Sequence, residues 1–284
     1  MCPLVDMFNH NSSCNSEASF NYFNGCFELR TGSYDTGDQV FISYGKQSND
    51  RFLQYYGFVE KDNINDLYDF GSNILEMVLK YAEPLAAVVD FPTSPIPEER
   101  MRAIASGLQA TYVENQNTQE KIISSTAASD ITLKYYRNRP NLSNNDQKLN
   151  YQKTEGLMAN FDDTSVRCVR ALVCSESEWM STRPKESMQI FAFPLSQETE
   201  DRAGKLLSSI CFLELRGKST TIEQDEEALD ALIKGAAISD SKGFAVRKSK
   251  EDTNVAIESN IRSRLINALI FRLEKKKLLL EACS

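Results

Sequence analysis

Histidine is almost absent from this chain: His10 stands alone among 284 residues. One imidazole leaves little with which to build a metal centre. Cys2, His10, Cys14 and Cys26 lie near one another but lack the close C-x₂₋₄-C spacing of structural zinc, so no metal is expected. Long apolar runs are missing as well. The richest stretch, residues 84–89, falls far short of the ~18 residues that a membrane span needs. Met1-Cys2-Pro3 has neither the basic start nor the apolar core of a secretory signal, and no Arg- and Ser-rich segment reads as a transit peptide. Seven cysteines, an odd number without patterned spacing, fit reduced thiols. The expectation is a soluble, intracellular protein without a membrane partner. A net charge of −8 speaks against binding a phosphate backbone, which relies on clustered Lys and Arg, and favours a basic tail or polar protein surface as partner. No internal repeat or extended low-complexity tract occurs, and nothing indicates an oligomeric state.

What the chain does have begins with β signals. Residues 20–23 and 26–30 flank Asn24-Gly25, the pair that best tolerates a two-residue type I′ turn, so a hairpin is predicted. Residues 40–44 alternate as a strand, with Val40, Ile42 and Tyr44 on one face. Ser48 can cap a short helix that ends at Gly57 and buries Phe52, Leu53 and Tyr56. From Leu67 onward helical spacing takes over, which places a domain boundary near Tyr68. One helix is predicted over 74–89, a proline break at 92–97, and another helix from about Glu98. Ser196 and Thr221, the latter with Gln224 as a capping box, open two further helices, and Gly217 and Gly235 mark stops. The final helix aligns Ile261, Leu265, Ala268, Leu269 and Leu273 for burial. Residues 140–146 and 175–187 read as surface loops, and Lys275-Lys276-Lys277 as a solvated face.

Three short motifs carry the chemistry. Pro3 to His10 is an apolar segment ending in Asn9-His10; Ser43-Tyr44-Gly45 follows with Ser48-Asn49; Tyr56-Gly57-Phe58 closes the set. Taken singly they are bland: His10 reads as a core or turn histidine, Tyr44 as a packed strand aromatic and Tyr56 as a helix-face aromatic. In this order they resemble the C-terminal half of a SET-domain protein methyltransferase, of the class that holds the Rubisco large-subunit lysine methyltransferase and the actin histidine methyltransferase. The resemblance is strong over residues 1–66 and looser over 67–284, where the terminal helix around 268–276 is the best pointer.

The resemblance implies an α+β protein: residues 1–66 as the C-terminal part of a SET domain, and 67–284 as a helical substrate-binding domain. It implies methyl transfer from S-adenosylmethionine to a protein side chain, lysine first and histidine as the alternative acceptor. Tyr44 and Tyr56 would line the acceptor channel, Asn9, His10 and Phe58 would hold the cofactor, and Phe20 or Tyr22 would wall the channel. Two neutral phenols suit the task, because they orient an amine by hydrogen bonding while a dry channel disfavours its ammonium form. The chain contains no G-x-G, although the family places a glycine-bearing strand upstream; a first half missing before Met1 is therefore expected, and with it an incomplete cofactor pocket. The competing expectation is a non-catalytic remnant that binds a protein partner.

Overall fold

A computed structural model describes residues 7–14, 16–91, 100–106, 132–139, 156–182, 188–240 and 251–283. Cys2, the break at 92–97, the start near Glu98 and the loop at 140–146 lie outside them. The architecture is α+β, with small strand pairs early and helices thereafter. Two compact units emerge: Met1–Asp66 with Ala245–Phe271, and Leu67–Phe244 with Arg272–Ser284.

In the first unit, β1 (Asn9–His10) runs parallel to β4 (Phe41–Ile42), with His10 opposite Ile42. The strand predicted over 40–44 is thus two residues long. Tyr44 lies past its end because its N–H turns to a side chain, the His10 ring, instead of a neighbouring strand. Between these segments β2 (Glu17–Asn21) and β3 (Cys26–Arg30) form the predicted hairpin, with Phe20 opposite Phe27 and Asn21 opposite Cys26. Its turn is longer than predicted. Gly25 has φ 66°, but Asn24 does not join it on the positive side, so the turn is not type I′. Instead the Asn21 and Asn24 side-chain carbonyls each accept a backbone N–H two residues on, from Phe23 and Cys26, both at 3.0 Å, closing a four-residue loop.

The short helix also differs in detail. One α-helical turn, Asn49–Arg51, continues into a π-helical turn, Phe52–Tyr56. Gly57 ends it in the left-handed region, φ 76°, as its sequence position predicts. Ser48 occupies the cap with no side-chain hydrogen bond; the Asp66 carboxylate accepts the Asn49 N–H at 2.9 Å in its place. Phe52 is fully buried while Tyr56 is 54% exposed, so Tyr56 does not lie on a buried face. As the last residue before the reversal at Gly57, it has one side left uncovered.

In the second unit β5 (Leu67–Asp69) pairs antiparallel with β6 (Lys134–Tyr136). Helices at Ile74–Lys80, Ala82–Val88, Asp163–Val173, Glu176–Thr182, Gln197–Arg216 and Ile222–Asp240 surround a core that includes Ile74, Leu85, Val169, Leu206 and Leu279. Burying each such side chain is worth about 1.5–3 kcal/mol. Ser196 caps Thr199 N–H, and Thr221 and Gln224 bond reciprocally, both as predicted.

Five expectations differ from the structure. The helix predicted over 74–89 breaks at Tyr81, because the Pro84 ring would collide with the Lys80 carbonyl in a continuous helix. Residues 176–182 form a helix, anchored by Trp179, which stacks on Phe191 with ring centroids 6.0 Å apart and lies beneath the buried Arg100. Gly235 lies inside the Ile222–Asp240 helix rather than at its end; the ~1 kcal/mol that glycine costs there is carried by its helical neighbours. In the Glu251–Glu281 helix, Ile261, Leu265 and Ala268 are exposed, and burial begins at Leu273 and continues at Leu278 and Leu279, the part that belongs to the second unit. Nor is the lysine run a solvated face. Lys276 is 2% exposed, with its ammonium on Asp225 at 2.6 Å and on Thr220 Oγ1 at 2.8 Å, while Lys275 donates to the Leu67 carbonyl. The fully buried Asp225 carboxylate, which Arg272 also meets, gives the lysine a charge partner inside.

Candidate active site

The motif segments of the first unit meet around one imidazole. The His10 side chain is 1% exposed, and its ring lies 4.4 Å from Phe52, 5.1 Å from Tyr44 and 5.8 Å from Phe58, centroid to centroid. Both nitrogens are engaged within the chain: Nδ1 accepts the Tyr44 N–H at 3.0 Å, and Nε2 lies 3.1 Å from Ser12 Oγ. Asn9, its neighbour, has its backbone in the parallel pair while the residue remains exposed.

Tyr44 and Tyr56 stand side by side, ring centroids 4.8 Å apart and tilted 34°. The Tyr44 hydroxyl donates to the Phe8 carbonyl at 2.7 Å, which fixes the inner phenol while leaving its oxygen able to accept. Burial, and the nearby Tyr56, push the Tyr44 phenol above its ordinary value, so it is neutral at physiological pH. Phe58 completes the wall: it stacks on Phe52 at 5.0 Å and 21° and presents its edge to Tyr44 at 6.4 Å. Gly57 turns the chain between them, and its carbonyl accepts from the Asn267 side chain at 2.9 Å.

Phe20 and Tyr22 stand elsewhere. They meet each other edge-on at 5.1 Å on the hairpin, 48% and 87% exposed, and among the described residues neither ring touches the Tyr44 cluster. Of the residues singled out from sequence, the structure brings together His10, Tyr44, Tyr56 and Phe58, with Asn9 beside them.

Apart from Asn49, which stands in the second motif, the polar frame behind these rings was not anticipated from the sequence. Asn49, fully buried, accepts the Glu60 N–H at 3.0 Å and donates to the Glu60 carbonyl at 2.9 Å and to Asp66 Oδ2 at 3.1 Å. Asn63, 1% exposed, donates to the Gln47 carbonyl at 2.9 Å. Glu60 reaches the other way, its carboxylate accepting both the Ser12 N–H, at 2.8 Å, and the Ser12 hydroxyl. A dense run of Asn and Asp between 47 and 66 was the available signal. These bonds hold the ends of the segment that carries Tyr56 and Phe58, so the ring positions depend on buried polar groups that are fully paired.

Chemically, the site is a wall of neutral aromatic groups with phenol oxygens set into it. It can orient a nitrogen nucleophile by hydrogen bonding, and it offers no metal ligand set among the described residues.

Comparison with known proteins adds the following. Residues 143–279 match the family model described as Rubisco LSMT substrate-binding. The chain is 34% identical over 84 residues to SET domain-containing protein 4 of Mus musculus, covering 29% of this chain and 19% of that protein. It is 35% identical over 82 residues to Ribosomal lysine N-methyltransferase 4 of Saccharomyces cerevisiae, covering 28% and 16%. A 64-residue match to SET domain-containing protein 4 of Homo sapiens is 36% identical and covers 22% and 14%. The matched stretch thus spans less than a fifth of each of these relatives. The chain thus matches the Rubisco LSMT substrate-binding model over residues 143–279 and is similar to SET domain-containing protein 4 over part of its length.

Proposed function

We propose that this chain belongs to the working part of a protein methyltransferase that moves a methyl group from S-adenosylmethionine to a side-chain nitrogen, lysine first. The observation that carries the reading is the convergence of Tyr44 and Tyr56, 4.8 Å apart, on the His10–Phe58 wall from three separate segments. Similarity to a lysine methyltransferase and to a substrate-binding family supports it. Residues 1–66 would supply the chemistry and 67–284 the docking of a protein substrate, for which a chain of net charge −8 suits a basic segment.

The donor brings an electrophilic methyl on a sulfonium. Two of the residues present suit parts of it: the exposed Asn9 carboxamide the donor's amino-acid end, and the open part of Phe58 a flat purine. His10 serves by its backbone and as the wall's keystone, since its ring nitrogens are already committed. Tyr44 and Tyr56 accept from the incoming amine and aim its lone pair, while the surrounding rings exclude water and so favour its uncharged form. Purified protein given tritiated donor and candidate substrates should label a protein, and Tyr44→Phe should cut turnover about 100-fold. Its affinity for S-adenosylhomocysteine should stay within about threefold of wild type. Unchanged turnover would refute the role of Tyr44. Amino-acid analysis of the product separates methyl-lysine from methyl-histidine. Absence of S-adenosylhomocysteine binding by titration would favour a protein that only binds its partner.

A further inference from the structure

Two hydrogen bonds at His10 fix which nitrogen carries its proton. The Tyr44 N–H, 3.0 Å from Nδ1, is an obligatory donor, so Nδ1 must accept. At the other end, the Ser12 hydroxyl gives its only proton to Glu60 Oε2, so toward His10 it can only accept, and Nε2, 3.1 Å away, must donate. Glu60 Oε2 is itself 3.6 Å from Nε2. All donors therefore point one way, from the Tyr44 amide through the imidazole and the Ser12 hydroxyl to the carboxylate, and such a chain is mutually reinforcing.

We propose that Glu60 is a positioning residue: through Ser12 and His10 it holds the backbone of Tyr44, and with it the phenol that lies between Phe8 and Tyr56. Its importance for turnover rests on the reading of Tyr44 given above, but the relay itself does not. Glu60 is well placed for the task, because its own backbone is clamped on both sides by Asn49 and its side chain is left to reach Ser12.

Glu60→Gln weakens the relay. The Ser12 N–H claims the amide oxygen and the new NH₂ donates to Ser12 Oγ, so the hydroxyl proton loses its carboxylate acceptor and competes for Nε2, which favours a proton on Nδ1 against the opposition of the Tyr44 N–H. Since His10 is the only histidine, ¹⁵N resonances of the imidazole report this without assignment ambiguity. Wild type should show the Nε2–H tautomer. Glu60→Gln should show a shift of the tautomer population toward Nδ1–H, with Tyr44 amide exchange faster by about tenfold. In Ser12→Ala the Nε2–H form should persist, held directly by Glu60. In turnover Glu60→Gln should lower kcat about tenfold with the donor KM within about twofold. An Nδ1–H wild type, or a Glu60→Gln protein with wild-type tautomer and exchange, overturns the proposal; a shifted tautomer population with unchanged kcat overturns the link to the phenol. If wild type transfers no methyl at all, the proposed function fails while the tautomer measurements still decide the relay.

Discussion

The two units are built from different material. Between residues 7 and 66, Phe52 is the only fully buried apolar side chain among the described residues, and its buried companions are polar: Asn49, Asn63 and Asp66. The second unit buries leucine, isoleucine, valine and phenylalanine throughout, and adds interior ions such as Arg170, bonded to Glu200 and to the Phe191 and Ala192 carbonyls. The first therefore depends on directional bonds, each worth about 1 kcal/mol net but costly when broken, and the second on area removed from water. Directional bonds hold ring positions such as those of Tyr44 and Tyr56, whereas burial of apolar area gives bulk stability. Each unit also carries its own reporter, His10 in the first and Trp179, the single tryptophan, in the second.

The largest expected effect lies in the second unit. Asp225→Ala strips Lys276 of its charge partner inside the core, where Arg272 also meets that carboxylate at 2.9 Å. Breaking one side of a buried pair costs about 3–5 kcal/mol. The urea midpoint read from Trp179 fluorescence should fall accordingly, while the His10 resonances stay where they are. A loss under 1 kcal/mol would mean that Lys276 finds water or other partners, and the contrast in construction would narrow.

What was readable in the sequence divides along similar lines. Gly57, Ser196 and the Thr221–Gln224 box could be read because a cap is decided within a few residues. Lys276 could not, since its partner Asp225 lies 51 residues away and only the fold brings them together. The break at Tyr81 was legible and passed over: Pro84 carries it. At the site, motif order pointed to His10, Tyr44, Tyr56 and Phe58, but the frame of Ser12, Asn49, Glu60 and Asp66 is made of side-chain bonds between distant loops, which no periodicity encodes.

Acid sharpens the comparison next. Burial alone would raise the Glu214 carboxyl, but hydrogen bonds from Lys218, Tyr81 and Lys80 outweigh it and hold it at about 2. A depressed carboxyl stabilises the fold above its unfolded value and loses that contribution as pH falls. The second unit should accordingly lose about 3 kcal/mol from this group between about pH 4.5 and 2. Glu178, likewise held at about 2 despite burial by bonds from Ser196, Ser175 and Thr199, acts in the same window. Trp179-monitored unfolding of Glu214→Gln should start less stable and show a flatter acid limb. A limb as steep as wild type would assign the acid response to other groups.

The smallest effect tests the first unit. Asn49→Ala leaves the Glu60 N–H, the Glu60 carbonyl and one Asp66 oxygen without the side chain that serves them. Leaving buried groups unserved costs about 1–3 kcal/mol. The loss is local in kind, because the segment from Phe52 to Phe58 is held at its ends by these bonds and its rings can tilt once they are gone. His10 and Tyr44 resonances should therefore shift and broaden, and affinity for S-adenosylhomocysteine should drop, while the Trp179 midpoint moves by less than about 0.5 kcal/mol. An equal movement at both reporters would show that the two units unfold as one cooperative body. The division between a hydrogen-bonded site and an apolar scaffold would then describe composition alone, not stability.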